Sequence, residues 1–383
     1  MSPSVMGEHY LVPCPECEFS VHCDTEQSSR REFLVCPNCG FERIPVSDCK
    51  IEPADTVEIE FGETSFERWD LVAFQLAQSD SAGIKRIVGL PKETIEIRDG
   101  NLWANGVMLK KPIRVQKEMR VCVHDTGFAP PRESRWSPSS SSSGWRSVSK
   151  EYFFEAKQLA ETPDWLVYRH LKCYSHRSSG DNHKVRIEDN YGFNQSISRD
   201  LNPTDELFLE IDLTFSPESI FEWRFDHRGD MHEFVIDIPS STLRHKKNSS
   251  SQSEAVFELD RTLVSGGEMI VEFSTIDRRL VVLLNRQPVM EAELNSSSEP
   301  VSFEPLGFAA SKGNIAVKRF RIWRDVYYLG QSGSRQPTIL QGVGGGYIVL
   351  GDNVPVSVDS RQWPQAILPQ RDVLGAVKLS RKP

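Results

Sequence analysis

Short alternations of apolar and polar residues, each closed by a turn signal, run through most of this chain. Thr56-Val57-Glu58-Ile59-Glu60-Phe61 alternates, the pattern of a strand with one buried face. Trp69-Asp70-Leu71-Val72-Ala73-Phe74 is mostly apolar, and Ile84-Lys85-Arg86-Ile87-Val88-Gly89-Leu90-Pro91 sets a lysine in a β-branched run that stops at Gly-Leu-Pro. Thr94-Ile95-Glu96-Ile97-Arg98 and Asn101-Leu102-Trp103 flank Asp99-Gly100, a pair that supplies the positive φ angles of a tight hairpin turn; Asn105-Gly106 signals a second. Residues 44–125 therefore predict a mostly antiparallel, coiled β-sheet.

Residues 126–150 are punctuated by Pro and Ser, and the serine run 139–143 predicts a mobile loop or linker, because it has no apolar surface to bury. Beyond it, residues 151–330 return to short strands at near-regular spacing: Trp165-Leu166-Val167-Tyr168, Leu207 to Leu213, Ile220 to Phe225, His232 to Ile238, Met269 to Phe273 and Leu280 to Leu284. That spacing predicts a β-sandwich, with residues 248–253 as a polar loop inside it. A sandwich whose termini lie close together can be inserted into another domain, so the strand Tyr347-Ile348-Val349-Leu350 and the segment ending Leu374-Gly375-Ala376-Val377 read as a resumption of the first domain.

A chain of 383 residues suggests two or three domains. Its net charge of −9 argues against nucleic-acid binding, which needs clustered Lys and Arg. No apolar run is long enough to cross a membrane, and the N-terminal residues lack the apolar core of a signal peptide.

Four of the 8 cysteines form two Cys-x-x-Cys pairs, Cys14-Pro15-Glu16-Cys17 and Cys36-Pro37-Asn38-Cys39, with 18 residues between them. Two such knuckles can place four thiolates around a zinc ion, and Gly40 permits the tight turn. Residues 1–43 are therefore expected to form a zinc ribbon, its metal structural because four protein ligands close the site. A pair of redox dithiols is the alternative, and His22 and Cys23 are spare donors. A ribbon of this kind, with no signal sequence, suggests the cytoplasm.

Lys85 carries the candidate chemistry. In an apolar run a lysine either snorkels to water or loses its charge, since desolvation penalises the ammonium form. A general base near pH 7 needs the reference pKa of about 10.4 lowered by roughly 3, about 4 kcal/mol of burial and local charge. A neutral amine so placed can activate a serine.

Two boxes give this position a family context. Lys85-Arg86-Ile87-Val88-Gly89-Leu90-Pro91 resembles the Lys-Arg-x-Val-Gly-Leu-Pro box of signal peptidase I, a Ser/Lys-dyad protease family. Gly351-Asp352-Asn353-Val354-Pro355-Val356-Ser357-Val358-Asp359-Ser360-Arg361 resembles its Gly-Asp-Asn-x-x-x-Ser-x-Asp-Ser-Arg segment. Arg68 to Phe74 and the hairpin over residues 93–106 are similar to the family's intervening strands. The resemblance implies Lys85 as general base, Ser357 orienting its amine, and Asp359 with Arg361 bracing the loop. It also implies an extended peptide or preprotein substrate with small side chains before the cleavage point, bound by strand addition, and an association with membranes. The family's Ser-Met-x-Pro-Thr-Leu-x-x-Gly-Asp box is expected before Thr56, where the chain reads Ile44-Pro45-Val46-Ser47-Asp48-Cys49-Lys50-Ile51-Glu52-Pro53-Ala54-Asp55. Ser47 is the serine available there, one position out of register, and is the expected nucleophile; Cys49 is the alternative. The sandwich region resembles a laminin-G or concanavalin-type jelly roll.

The expected architecture is thus mainly β: a zinc ribbon over residues 1–43; a discontinuous signal-peptidase-like coiled sheet or barrel over 44–125 and 331–383; a linker over 126–150; and an inserted jelly roll over 151–330. The expected activity is serine endopeptidase with structural zinc and no organic cofactor. The alternative is a non-catalytic scaffold on the same fold, whose jelly roll engages a glycan or protein partner.

Overall fold

The structure, a computed structural model, describes all residues except 26–31, 63–64, 77–81, 129, 131–133, 157–161, 174–183, 248–253, 343–344 and 380–383. The polar loop expected over 248–253 lies outside the described residues. The protein is mainly β and divides into two compact units, the first comprising Met1–Tyr10, Lys50–Val121 and Asp325–Pro383, the second Leu11–Cys49 and Cys122–Arg324.

The first unit contains a five-stranded antiparallel sheet in the order Ile348–Leu350, Gly83–Gly89, Leu71–Phe74, Val373–Leu379, Val57–Phe61. Its two edge strands do not pair, so the expected sheet or barrel is an open sheet. A second sheet runs Val107–Met108, Asn101–Ala104, Thr94–Arg98, Thr338–Gln341. Both hairpin turns form as expected: Asp99 and Gly100 take φ of 52° and 80°, Asn105 and Gly106 take 50° and 83°, the conformation whose twist matches that of the flanking strands. A short helix, Ile113–Met119, follows where only strands were expected; it buries Val115 and Met119 one turn apart on a common face.

Period-two alternation sends successive residues of Gly83–Gly89 to opposite faces. Val88 enters a core with Trp69, Ile95, Ile97 and Leu350, while Ile87 enters another with Val72, Phe74, Tyr347 and Val349. Lys85 shares the face of Ile87, and Arg86 that of Val88.

The second unit is the β-sandwich. One sheet runs Trp145–Val148, Glu151–Glu155, Asn314–Arg324, Leu207–Phe215, Glu268–Ser274, Arg279–Leu284, Gln287–Glu293, with Val121–Asp125 also pairing Asn314–Arg324. The other runs Trp136–Pro138, Asp164–Tyr168, Leu306–Lys312, Ile220–His227, Asp230–Asp237, Thr242–Lys247, Glu254–Glu258. Alternate residues of both sheets fill one core, where Trp223 stacks on Phe234 with ring centroids 5.0 Å apart and Trp136 on Phe320 at 4.0 Å.

Residues 126–150, expected as a linker, contribute two strands, Trp136–Pro138 and Trp145–Val148. Trp136 and Trp145 are buried in the sandwich core, and burying one aromatic side chain outweighs several flanking serines. The cysteine region also belongs to this unit. Asn38 ties it to the sandwich, donating to the carbonyls of Asp125 and Phe128 at 3.2 and 3.0 Å and accepting from Asp125 N at 2.8 Å; Gln195 makes reciprocal bonds with the backbone of Val35.

Trp223→Ala removes a fully buried ring from the middle of that core and is expected to destabilise the sandwich by about 3–5 kcal/mol. Denaturant unfolding followed by tryptophan fluorescence checks this; a loss under about 1 kcal/mol contradicts the packing described.

Candidate active site and metal centre

Lys85 lies mid-strand, paired in register with Val72. Across from it the strand Ile348–Leu350 ends at Gly351, and the chain turns back through Ser357. A Cβ placed on Gly351 would fall 2.0 Å from Ser357 Oγ and 3.5 Å from Lys85 Nζ. Only glycine lets the serine loop close over the strand end and brings hydroxyl and amine to the same spot.

Asp359 and Arg361 hold that loop. Both are buried. Asp359 accepts from Gly351 N at 2.9 Å and from Arg361 Nε and Nη2 at 2.8 Å each. Arg361 spends its remaining donors on the carbonyls of Leu329, Val354 and Ser357 at 3.1, 2.9 and 3.3 Å. A buried bidentate pair with every donor nitrogen bonded is the arrangement that justifies taking two charges out of water.

Arg86, the next residue along the strand, is treated differently from Lys85. Its guanidinium meets Asp352 with Nε–Oδ1 of 3.0 Å and Nη2–Oδ2 of 2.9 Å and donates to Trp69 O at 2.8 Å. Lys85 Nζ makes no hydrogen bond or ion pair among the described residues. Burial therefore drives its pKa below the ordinary lysine value; Asp359 opposes the shift, Arg361 adds to it, and Asp352 opposes it. Ser357 Oγ is buried and has no hydrogen-bond partner among the described residues. The site thus holds an amine biased toward its neutral form beside a hydroxyl with unused hydrogen-bonding capacity.

Lys85, Ser357, Asp359 and Arg361 come together in the first unit. Ser47 lies in the second, exposed, in a short turn Val46–Asp48, where its hydroxyl donates to Asp48 Oδ1 at 3.1 Å. The Cys49 thiol is pushed up by burial and by the Asp48 charge, which disfavours the thiolate that a nucleophilic role needs. Sequence reasoning passed over Ser4, half-buried in the first unit, whose hydroxyl donates to Asp352 and accepts from Arg86 Nη2 at 3.0 Å. A signal was present: Met1-Ser2-Pro3-Ser4-Val5 keeps the Met, the Pro and a hydroxyl at the spacing of Met-x-Pro-Thr-Leu.

Cys14, Cys17, Cys36 and Cys39 are buried with all four sulfurs within 4.8 Å of one another. Two parallel knuckles place them. Cys14 N donates to Phe19 O at 2.9 Å and Glu18 N to Cys14 O at 2.8 Å; Cys36 N and Gly40 N repeat the pattern with Phe41 O and Cys36 O at 2.8 Å each. The Cys14–Cys39 and Cys17–Cys36 sulfurs are 3.6 Å apart, too far for a disulfide and close to the edge, about 3.8 Å, of a tetrahedron with metal–sulfur bonds of about 2.3 Å. The donor set is compatible with a metal ion. Cys23 is not part of it and donates to Phe193 O at 3.4 Å.

Residues 46–158 match the family described as signal peptidase, peptidase S26, which supports a signal-peptidase relationship for that part of the chain. The match includes Ser47 and Lys85 and stops before Gly351. No curated protein matches the chain. Among solved structures, the carbohydrate binding module CBM66 from Bacillus subtilis is similar at 9% identity, covering 51% of this chain and 94% of that one, with a TM-score of 0.29. A β-1,3-1,4-glucanase (lichenase) from a mouse hindgut metagenome is similar at 10% identity, covering 51% and 95%, with a TM-score of 0.31. The galectin LEC-6 of Caenorhabditis elegans is similar at 14% identity, covering 31% and 83%, with a TM-score of 0.23. At these values nothing about a ligand follows. No helix among the described residues is long and apolar enough to cross a membrane.

Lys85→Met gives a stability prediction with a definite sign. The amine's pKa is lowered on folding, so its burial costs most at low pH, where both states carry the charge. The cost fades as pH rises from the folded value toward about 10.4, because the unfolded chain there holds more protons. Lys85→Met is therefore expected to be more stable than wild type at neutral pH, with the gap closing in alkali. Denaturant midpoints measured from pH 6 to pH 10.5 check this, and a pH-independent gap contradicts it.

Proposed function

We propose that the chain is a signal-peptidase-like serine endopeptidase. The observation that carries the reading is the desolvated Lys85 amine beside the unpartnered Ser357 hydroxyl over Gly351; the family match over residues 46–158 supports it. A serine hydroxyl attacks the scissile carbonyl as its proton passes to Lys85 Nζ. Lys85 then returns that proton to the leaving amine as the peptide bond breaks, leaving an acyl ester on the serine. Water repeats the sequence and frees the serine. Ser357 orients the amine, and Asp359 with Arg361 braces the loop that carries Ser357. The substrate is an extended peptide with small residues before the cleaved bond. Zinc, held by Cys14, Cys17, Cys36 and Cys39, is structural.

Purified full chain is offered a peptide containing an Ala-x-Ala site. Wild type is expected to cleave it and Lys85→Met to lose at least about a hundredfold in kcat/KM, while Ser47→Ala tests whether the serine expected from the sequence is the nucleophile. Activity rises with pH on a limb whose midpoint lies below about 10.4, because the base must be deprotonated. Loss in Lys85→Met but not in Ser47→Ala assigns the nucleophile to another hydroxyl. A folded, metal-loaded wild type that cleaves nothing sinks the protease reading and leaves the scaffold whose sandwich engages a glycan or protein.

Elemental analysis of the same preparation is expected to find about one zinc per chain, lost in Cys36→Ser together with part of the thermal stability. Retention of full metal content by that variant contradicts the assignment.

A further inference from the structure

Two strands of the sandwich, Asp230–Asp237 and Thr242–Lys247, have no part in the mechanism above and carry a pair of histidines on the face that packs the core. Strand register sets His232 opposite Phe225, and His245 opposite Phe234, whose partner on its other side is Trp223. Phe225, Phe234 and Trp223 all belong to the core. His245 stacks on Phe234 with ring centroids 4.7 Å apart. His232 is 4% exposed. The two imidazoles meet nitrogen to nitrogen, His232 Nδ1 to His245 Nε2, at 3.0 Å with ring planes 7° apart. His232 Nε2 is buried and has no hydrogen-bond partner among the described residues.

This contact suits a neutral pair and no other. A bond between two ring nitrogens needs one N–H and one bare lone pair. The contacts assign the tautomers: His232 donates from Nδ1, His245 accepts at Nε2, and His232 Nε2 stays bare. A further proton has two places to go. On His232 Nε2 it makes a buried N–H with no acceptor; on His245 Nε2 it sets N–H against N–H and breaks the bond. The charged groups around the pair are few. Lys247 lies 2.8 Å from Asp230, and His227 sits between Asp205 Oδ2 and Asn295 O, each 2.9 Å away. Across the core Phe234 meets Phe273, which adds no charge. Burial, then His245, Lys247 and His227, hold the His232 imidazole down to about 4, with Asp230 opposing; burial and Lys247 lower His245. The unfolded chain takes up the same proton near pH 6.5, so the stability held by the pair is full above about 6.5 and is lost as pH falls toward about 4.

We propose that His232 and His245 form an acid-released latch: the neutral pair fastens the strands Asp230–Asp237 and Thr242–Lys247 to the sandwich core, and acidification frees them while the opposite sheet stays closed. Glu254–Glu258 pairs with Thr242–Lys247 at the end of the same sheet, so the latch governs the three strands at that end.

The test is amide hydrogen exchange of the full chain at about pH 7.5 and about pH 5, expressed as protection factors so that the intrinsic pH dependence of exchange drops out. Wild type is expected to lose at least about tenfold in protection over Asp230–Asp237 and Thr242–Lys247 at the lower pH, while Leu207–Phe215 in the other sheet keeps its own. The double variant His232→Leu, His245→Leu puts apolar groups on both sides of the contact and is expected to keep its protection at both pH values. Unchanged protection in wild type overturns the proposal, as does an equal loss over Leu207–Phe215 or a double variant that loosens in acid as wild type does. If the double variant does not fold, His232→Gln, whose uncharged amide turns to donate or accept, takes its place under the same readings.

Discussion

Two adjacent cations on one strand meet burial in opposite ways, and the organisation of the first unit follows from the difference. A buried charge needs a partner or must be lost. Arg86 cannot lose its proton, so it is given a carboxylate, two bonds to it, and a backbone carbonyl. Lys85 is given charges at a distance and, among the described residues, no direct partner, and its proton becomes the removable part. Strand alternation keeps the two solutions apart, because consecutive side chains leave on opposite faces. Exchange of the two residues would put an obligate cation where no carboxylate among the described residues bonds the side chain and a deprotonatable amine against Asp352, and neither place would be served.

The serine loop is bound by the same logic. Asp359 and Arg361 lie two residues apart, so their pair closes a small ring of chain with little entropic cost. The carboxylate also bonds Gly351 N and the guanidinium bonds the carbonyls of Val354 and Ser357, so one ion pair fixes both ends of the loop. Every polar group of that pair is used, while the hydroxyl it carries into place is not. A fully satisfied frame holding one unsatisfied group is the reverse of what stability alone favours, and it marks Ser357 Oγ as the group free to act on a neighbour.

What was legible in the sequence follows from how local each signal is. Asp99-Gly100 and Asn105-Gly106 fix their own turns, and a strand carrying Lys85 follows from its β-branched neighbours. The cysteine knuckles are equally local: each needs a few residues to bend the chain, and the spacing permits the rest. Trp136 and Trp145 were hidden by composition, since a serine run dominates the residues around them, yet one buried ring decides where a segment goes. Ser4 was hidden by distance. Its partners Arg86 and Asp352 are 82 and 348 residues away, and no periodicity announces a contact made by chain closure. Ser47 was chosen by proximity in sequence to Thr56, an argument that takes the chain to be continuous there; the excursion of residues 11–49 into the second unit removes that premise.

That excursion, and the longer one over residues 122–324, pose a single physical problem. A chain that leaves a unit and returns must hold its two ends together, or the unit frays where it is cut. The first neck is closed by Met6 and Asp55, which bond each other twice. At the second, Lys111 meets Asp325 at 2.9 Å with both side chains buried, and the ammonium also faces the Trp69 ring at 5.4 Å. Removing one partner of such a buried pair costs about 3–5 kcal/mol, so this neck is closed by an interaction expensive to open. Trp69 is held at φ 78°, a conformation unfavourable for a bulky residue, while its carbonyl accepts from Arg86. Lys111, at the neck of the large excursion, and Arg86, in the strand bearing Lys85, therefore both bear on one strained residue.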